Sequence, residues 1–423
     1  MIDATHDIAL ESWVHSANGH HDFPIQNLPF GLFSPAGEAP RPGVAIGDHI
    51  LELQALVAAG MLRDVPDDLE TILATPPLRK SLRHQLSRLL SDATHSAAAE
   101  PYLHTARDCV VHLPVRVGDY TDFYVGIHHA TKVGALFRPD NPLLPNYKHV
   151  PIGYHGRASS VRVSGEPVVR PRGQTKAQDA ETPGFGPSRR LDFELELGVW
   201  VGPGNALGDP IAIADAPQHI GGFCLLNDWS ARDFQAWEYQ PLGPFLAKNF
   251  HTTVSAWIVT PEALAPFRMA PTPRPMGDPR PLPYLWAEDD QAYGGLSINL
   301  EVSLRTAKMR AQNLAPVVIS RSHTRHMYWT VAQILTHHAS NGCNLQPGDL
   351  LGTGTLSGPD SASSGSLLEL SDGGKSPIIL PGNETRTFLE DGDEIILSAR
   401  AAADGFAPIG FGDCRATILA ARG

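Results

Sequence analysis

Residues Leu191 to Trp200 read Leu-Asp-Phe-Glu-Leu-Glu-Leu-Gly-Val-Trp, alternating apolar with acidic side chains before the closing apolar run. An extended strand sends successive side chains to opposite faces, so the pattern predicts a strand with Asp192, Glu194 and Glu196 on one face. Phe193, Leu195, Leu197 and Val199 take the other. Three acidic neighbours repel one another unless water solvates their face or a cation sits among them. By itself the segment fits a polar outer face as well as a cation site.

The rest of the chain divides near residue 115. Val44 to Leu53 reads as two short strands turning at Gly47-Asp48, and Leu78, Leu82, Leu86 and Leu89 recur at helical spacing, so residues 1–115 are expected to hold a small β unit covered by a helix. From about Val111 the apolar runs are short and broken by Gly and Pro, which predicts a larger, loop-rich β domain over 116–423. One helix is expected within it, over Thr324 to Ser340, capped by Ser322 or Thr324 and stopped at Asn341-Gly342. The Pro-rich stretch Pro261 to Pro283 reads as a loop excursion. The fold class is therefore mainly β with few helices.

Composition narrows the classes. The chain has 423 residues, 42% hydrophobic and 18% charged, with a net charge of −12, enough for a large core and more than one domain. Excess acid argues against nucleic acid or an anionic membrane as partner. Cys109, Cys224, Cys343 and Cys414 are too scattered for a metal knuckle or a disulfide framework, which suggests a reducing compartment. With neither an apolar leader nor a spanning run, a cytoplasmic protein is expected.

Two further carboxylates bear on the acidic strand. Asp228 follows the apolar run Gly222 to Leu226, where a central strand would end, and Asp122 lies in Asp119-Tyr120-Thr121-Asp122-Phe123-Tyr124. Alone, each is more simply a cap or turn residue. Together with Glu194 and Glu196 they offer an all-oxygen cage, and hard oxygens without His or Cys select calcium or magnesium, high negative charge leaning toward calcium. Neutralising Glu194 is then expected to weaken calcium binding and to relieve repulsion in the metal-free chain. Gly352 to Gly358 lacks the strand–helix context of a dinucleotide loop, and the chain has no G-x-S-x-G elbow.

The sequence resembles the fumarylacetoacetate hydrolase family over nearly its whole length. The likeness rests on Asp122-Phe123-Tyr124 with His129-Ala130-Thr131 and Phe137-Arg138, on Gly153-Tyr154-His155-Gly156-Arg157, and on Glu194-Leu195-Glu196. It continues through Asn227 to Asp233, Trp237 to Lys248, and Pro347-Gly348-Asp349 with Gly354-Thr355. The resemblance implies a small N-terminal SH3-like β-barrel, a larger mixed β-roll domain and a homodimer. It also implies hydrolysis of the carbon–carbon bond of 4-fumarylacetoacetate to fumarate and acetoacetate, in tyrosine and phenylalanine catabolism. Asp122, Glu194, Glu196 and Asp228 would then cage Ca2+, with Lys248 and Thr252 helping to bind a smaller ion, Mg2+, near Asp228.

Such a reaction needs a base for water, and imidazole has the right basicity. The family motif places it directly before Ala-Thr, which selects His129 over its neighbour His128 and gives Glu369 the orienting role. His128 departs from the family pattern and adds a possible second titration. By the same likeness Arg232, Gln235 and Lys248 meet the oxyanion, Tyr124, Arg138, Gln235, Tyr239 and Thr355 contact the substrate, and Tyr154 is a weaker candidate. Two alternatives stay open: a hydrolase or decarboxylase of another β-dicarbonyl acid, of acylpyruvate type, and a non-enzymatic calcium module. The second leaves His129, Arg232 and Lys248 without roles.

Overall fold

Short apolar runs around a Gly-Asp turn build the first sheet. The computed structural model describes residues 2–177 and 179–423, apart from the side chain of Phe137. Five antiparallel strands lie in the order Leu103–Thr105, His49–Glu52, Arg41–Ile46, Phe30–Pro35 and Cys109–His112. Gly47 makes the expected turn in the left-handed region (φ 55°), where a Cβ would lie 2.6 Å from the backbone nitrogen of Ala17. Helix Pro76–Ser91 opens on proline and buries Leu82, Leu86 and Leu89. It also buries Arg79, whose guanidinium donates to both oxygens of Glu262 at 2.7 and 2.9 Å and so ties this helix to the larger part of the chain.

The larger part is built on two sheets. One has seven strands, ordered Gly153–His155, Tyr120–Phe123, Leu350–Gly352, Leu195–Val201, Ile220–Asp228, Thr252–Val254 and Val161–Val163. The second, six-stranded, contains Val317–His323, Ile298–Arg305, Glu394–Ala401 and Cys414–Leu419, and it buries every second residue of Ile298–Arg305 and Glu394–Ala401. Their apolar faces share one core, from Phe193, Leu195 and Leu197 to Leu300, Val302 and Leu397. The cluster under the N-terminal sheet runs through Val115 and Tyr120 into Trp200, Leu226 and Leu350, so the two parts are packed together. All four cysteines are free, and among the described residues no helix is long and apolar enough to cross a membrane.

Two sequence expectations need correction. The strand expected over 191–200 is broken into Leu191–Asp192 and Leu195–Val201, and every residue from 191 to 201 is buried, so neither face is a solvated outer face. The helix expected from Thr324 begins only at Val331, after a 3-10 turn at Thr324–His326, and runs to Ala339. Its cap is Thr330, whose hydroxyl accepts from Gln333 N while the Gln333 side chain accepts from Thr330 N, a capping box stronger than either proposed start.

Candidate active site

Strand register assembles the four carboxylates. Asp122 pairs with Gly352, Gly352 with Gly198 two residues past Glu196, and Asp228 with Thr252 at the end of its strand. Glu194 sits just before its strand, where its backbone carbonyl accepts from Asp228 N. One oxygen from each of Asp122, Glu194, Glu196 and Asp228 lies within 4.8 Å of the others, and all four residues are buried. Gly352 makes room for them: a Cβ there would meet Asp122 Oδ1 at 2.6 Å and Glu196 Oε2 at 3.0 Å.

The four are electrostatically unequal. Burial, then repulsion from neighbouring carboxylates, holds Asp122 and Glu196 well above the ordinary carboxylate range, and burial raises Asp228 against the pull of Lys248. Burial would raise Glu194 too, but Lys248, Arg232 and His129 outweigh it and hold Glu194 well below that range. Lys248 Nζ donates to Glu194 Oε2 (2.6 Å) and Asp228 Oδ2 (2.7 Å). Asp122 Oδ1 and Glu196 Oε1 are buried with no hydrogen-bond partner, while Glu196 Oε2 accepts from Gly354 N (2.8 Å). Orphaned hard oxygens with raised proton affinity are what a divalent cation would satisfy, so the residues fit such an ion.

His129 stands beside this cage in the first turn of helix Ile127–Phe137. Close approach at Gly126, where a Cβ would lie 2.3 Å from the Thr355 carbonyl oxygen, pins that turn. Nδ1 of His129 meets Glu369 Oε2 at 2.7 Å, and Nε2 lies 4.0 Å from Glu194 Oε1. Glu369 Oε2 also accepts from Ser357 and Ser366, both at 2.8 Å. Burial would raise Glu369, but the His129 charge and these hydrogen bonds prevail and lower it, so it stays a carboxylate. His128 packs edge-on against His326, 5.5 Å between ring centroids. Among the described residues lining the cavity, His129 is present and His128 is not.

Asp192 does not join the cage. The strand break turns its carboxylate toward Arg232 Nε (2.9 Å) and the N–H groups of Leu367 (2.7 Å) and Leu368 (3.0 Å). Arg232 Nη1 lies 2.7 Å from Glu194 Oε1 and donates to Gln235 Oε1 at 3.0 Å. Its near neighbours in sequence, Asp233 and Glu238, are engaged elsewhere: Asp233 accepts from Ser188 (2.6 Å) and Arg189 N (2.8 Å), and Glu238 from Ala247 N (2.9 Å). Lys248 is buried, not a solvated surface lysine.

One cavity of about 370 Å³ opens onto these groups, lined by Asp122, His129, Glu194, Arg232 and Lys248. Tyr124, Arg138, Gln235, Tyr239 and Thr355 line it as well. Tyr124 meets the His129 ring edge-on at 5.6 Å, and Arg138 Nη2 donates to the Pro142 carbonyl at 3.3 Å. Tyr154 lines the cavity and donates to Asp228 Oδ2 at 3.0 Å. Thr252 lies outside the lining, its hydroxyl 3.5 Å from Asp228 Oδ1. Sequence reasoning missed Ser357 and Ser366 around Glu369, and Tyr147 in the cavity wall. Serines near a Gly-Ser-rich loop carry no motif, and Tyr147 reads as an ordinary aromatic.

Comparison with known proteins gives the same architecture. Residues 120–419 match the family model described as fumarylacetoacetate (FAA) hydrolase C-terminal, and residues 26–114 match fumarylacetoacetase N-terminal. The fumarylacetoacetase of Oryza sativa subsp. japonica is 46% identical over 432 residues, covering 97% of this chain and 98% of the relative. That of Homo sapiens is 47% identical over 417 residues, covering 95% and 97%. Among solved structures, the fumarylacetoacetate hydrolase of psychrophilic Exiguobacterium antarcticum shares the fold at a TM-score of 0.52 and 17% identity, covering 93% of this chain and 100% of that one. With both family models matched and relatives aligned over nearly their full length, the chain belongs to the fumarylacetoacetate hydrolase family.

Proposed function

We propose that this chain is a metal-dependent fumarylacetoacetase, hydrolysing 4-fumarylacetoacetate to fumarate and acetoacetate in the breakdown of tyrosine and phenylalanine. The observation that carries the reading is the His129–Glu369 pair, 2.7 Å apart, placed against a four-carboxylate cage within one cavity. Asp122, Glu194, Glu196 and Asp228 would hold the divalent ion, which we read as Ca2+ from the all-oxygen donors and their charge. When bound, such an ion polarises the dicarbonyl oxygens as a Lewis acid. Thr252 and Lys248 flank Asp228 at the place assigned to a second ion, Mg2+. The Lys248 ammonium offers no lone pair, so its share there would come through its backbone carbonyl.

The remaining work falls to this chain's own side chains. Glu369 accepts the Nδ1 proton of His129, leaving Nε2 free to take a proton from water. The water oxygen attacks the carbonyl beside the scissile bond, and the oxyanion that forms is met by Arg232, Gln235 and Lys248. The carbon–carbon bond then breaks, its electron pair leaving with acetoacetate, and the proton held at Nε2 returns to that carbon. Arg138, Tyr124, Tyr239 and Thr355 hold the acid in place, Arg138 by its carboxylate. The family likeness also implies a cytoplasmic homodimer, which sedimentation of the purified chain tests. Loss of dicarbonyl absorbance, followed for fumarylacetoacetate and for acylpyruvates with calcium present, tests the substrate. A larger kcat/KM for fumarylacetoacetate supports the reading; equal or reversed values move the chain to acylpyruvates, and no cleavage of either leaves a binding module.

A further inference from the structure

Besides the cage oxygen Asp122 Oδ1, four buried polar atoms on cavity-lining residues lack a hydrogen-bond partner: Arg138 Nε, Arg232 Nη2, Thr355 Oγ1 and the Tyr147 hydroxyl. A buried polar atom left unpaired costs about 1–3 kcal/mol, so a wall that keeps several is one a ligand completes. Three of the four belong to residues already given a place in the reaction. Tyr147 has none.

Its position is fixed on every side. Tyr147 is 2% exposed, and its ring lies edge-on to Tyr124 (5.8 Å, 85°) and tilted against Tyr328 (5.9 Å). Its carbonyl accepts from Trp329 Nε1 at 3.3 Å, and its N–H donates to the Leu144 carbonyl at 3.0 Å. Behind it the Arg274 guanidinium stacks on both Tyr328 (4.2 Å) and Trp329 (4.3 Å). Burial, with Tyr124 and Tyr328 adding to it, keeps the phenol protonated, so it is present as an O–H donor. Arg138 Nη2 donates to the Pro142 carbonyl, and Pro142, Leu143 and Leu144 line the cavity between Arg138 and Tyr147, so the two side chains stand on one short stretch of its wall.

We propose that Tyr147 is a specificity-determining residue: its phenolic O–H donates to a substrate carboxylate oxygen that Arg138 also holds, so that the cavity selects β-dicarbonyl acids bearing a second, remote carboxylate. The inference rests on the reading of the cavity as a β-dicarbonyl acid site. A rigid donor that a shorter acid cannot reach is left unpaired, which disfavours that acid.

Tyr147→Phe removes one oxygen and keeps the ring. The calcium-loaded wild type and variant are titrated with fumarate, a free dicarboxylate, and assayed on fumarylacetoacetate and acetylpyruvate. Loss of one hydrogen bond to a charged group is expected to weaken fumarate binding about tenfold to a hundredfold. kcat/KM for fumarylacetoacetate should fall similarly while that for acetylpyruvate stays within about threefold, and calcium affinity and the unfolding midpoint should hold. Unchanged fumarate affinity, no fumarate binding to the wild type, or equal losses on both substrates would overturn the proposal. Should the wild type cleave neither substrate, the reading of the reaction fails, and the fumarate titration still decides the role of Tyr147.

Discussion

At the scale of single residues, the cage separates carboxylates that repel from one that is paired. Asp122 and Glu196 keep buried oxygens without partners, whereas Glu194 holds Lys248 at 2.6 Å and Arg232 at 2.7 Å. The relief of repulsion expected for Glu194→Gln therefore belongs to its neighbours. Asp122→Asn and Glu196→Gln should weaken calcium binding while leaving the metal-free protein as stable as the wild type or more so. Glu194→Gln takes one of two carboxylate partners from each of the buried cations Lys248 and Arg232, which keep Asp228 and Asp192, and should lower metal-free stability by about 1–3 kcal/mol. Calcium calorimetry and urea unfolding of the chelated variants check both. His129→Ala should lower kcat roughly a hundredfold to ten-thousandfold, as loss of a positioned base does, with His128→Ala close to wild type. Side-by-side assays decide, and an active His129→Ala would overturn the assignment. The cage carboxylates were legible in sequence because Glu-x-Glu and a strand-end Asp leave a pattern. Asp192 was misplaced because nothing in the alternation announces a break that turns its carboxylate to Arg232.

At the scale of elements, backbone register brings residues more than two hundred positions apart to one point. The parallel pairing of Asp122 with Gly352 leaves no space for a side chain at 352. Gly352→Ala should push Asp122 and Glu196 apart, weakening calcium binding about tenfold to a hundredfold, as loss of supporting contacts at a metal does, while circular dichroism stays unchanged. Calorimetry beside the spectrum checks it; an unaltered affinity would mean that the cage tolerates displacement. Helix Pro76–Ser91 and the strands about Gly47 were legible because period and turn chemistry are local signals. The start of helix Val331–Ala339 was not, since apolar Met327 continues the helical stripe while the chain there bridges to Gly126. Strand order, set by contacts far apart in sequence, has no local signature.

At the scale of the whole molecule, buried histidines give the fold an acid limit. Burial first, then nearby positive charge, lowers His251 and His323 to about 4. Groups depressed in this way stabilise the fold fully above their unfolded value near 6.5, and the contribution is lost as pH falls toward 4. In the chelated protein the cage acts with the opposite sign. Asp122 and Glu196, held up, bind protons more readily when folded and so stabilise on acidification. Calcium-loaded protein should therefore show the histidine slope more plainly, and His251→Gln should flatten it between pH 6.5 and about 4. Unfolding free energies across that range check it; identical slopes would contradict the assignment. The central claim joins the cage, the base and the substrate, and product analysis of chelated enzyme supplied with fumarylacetoacetate, before and after calcium is restored, tests all three at once. Fumarate and acetoacetate should form in equal amounts only after restoration, and not with His129→Ala. Equal turnover without a divalent ion, or full turnover by that variant, would contradict it.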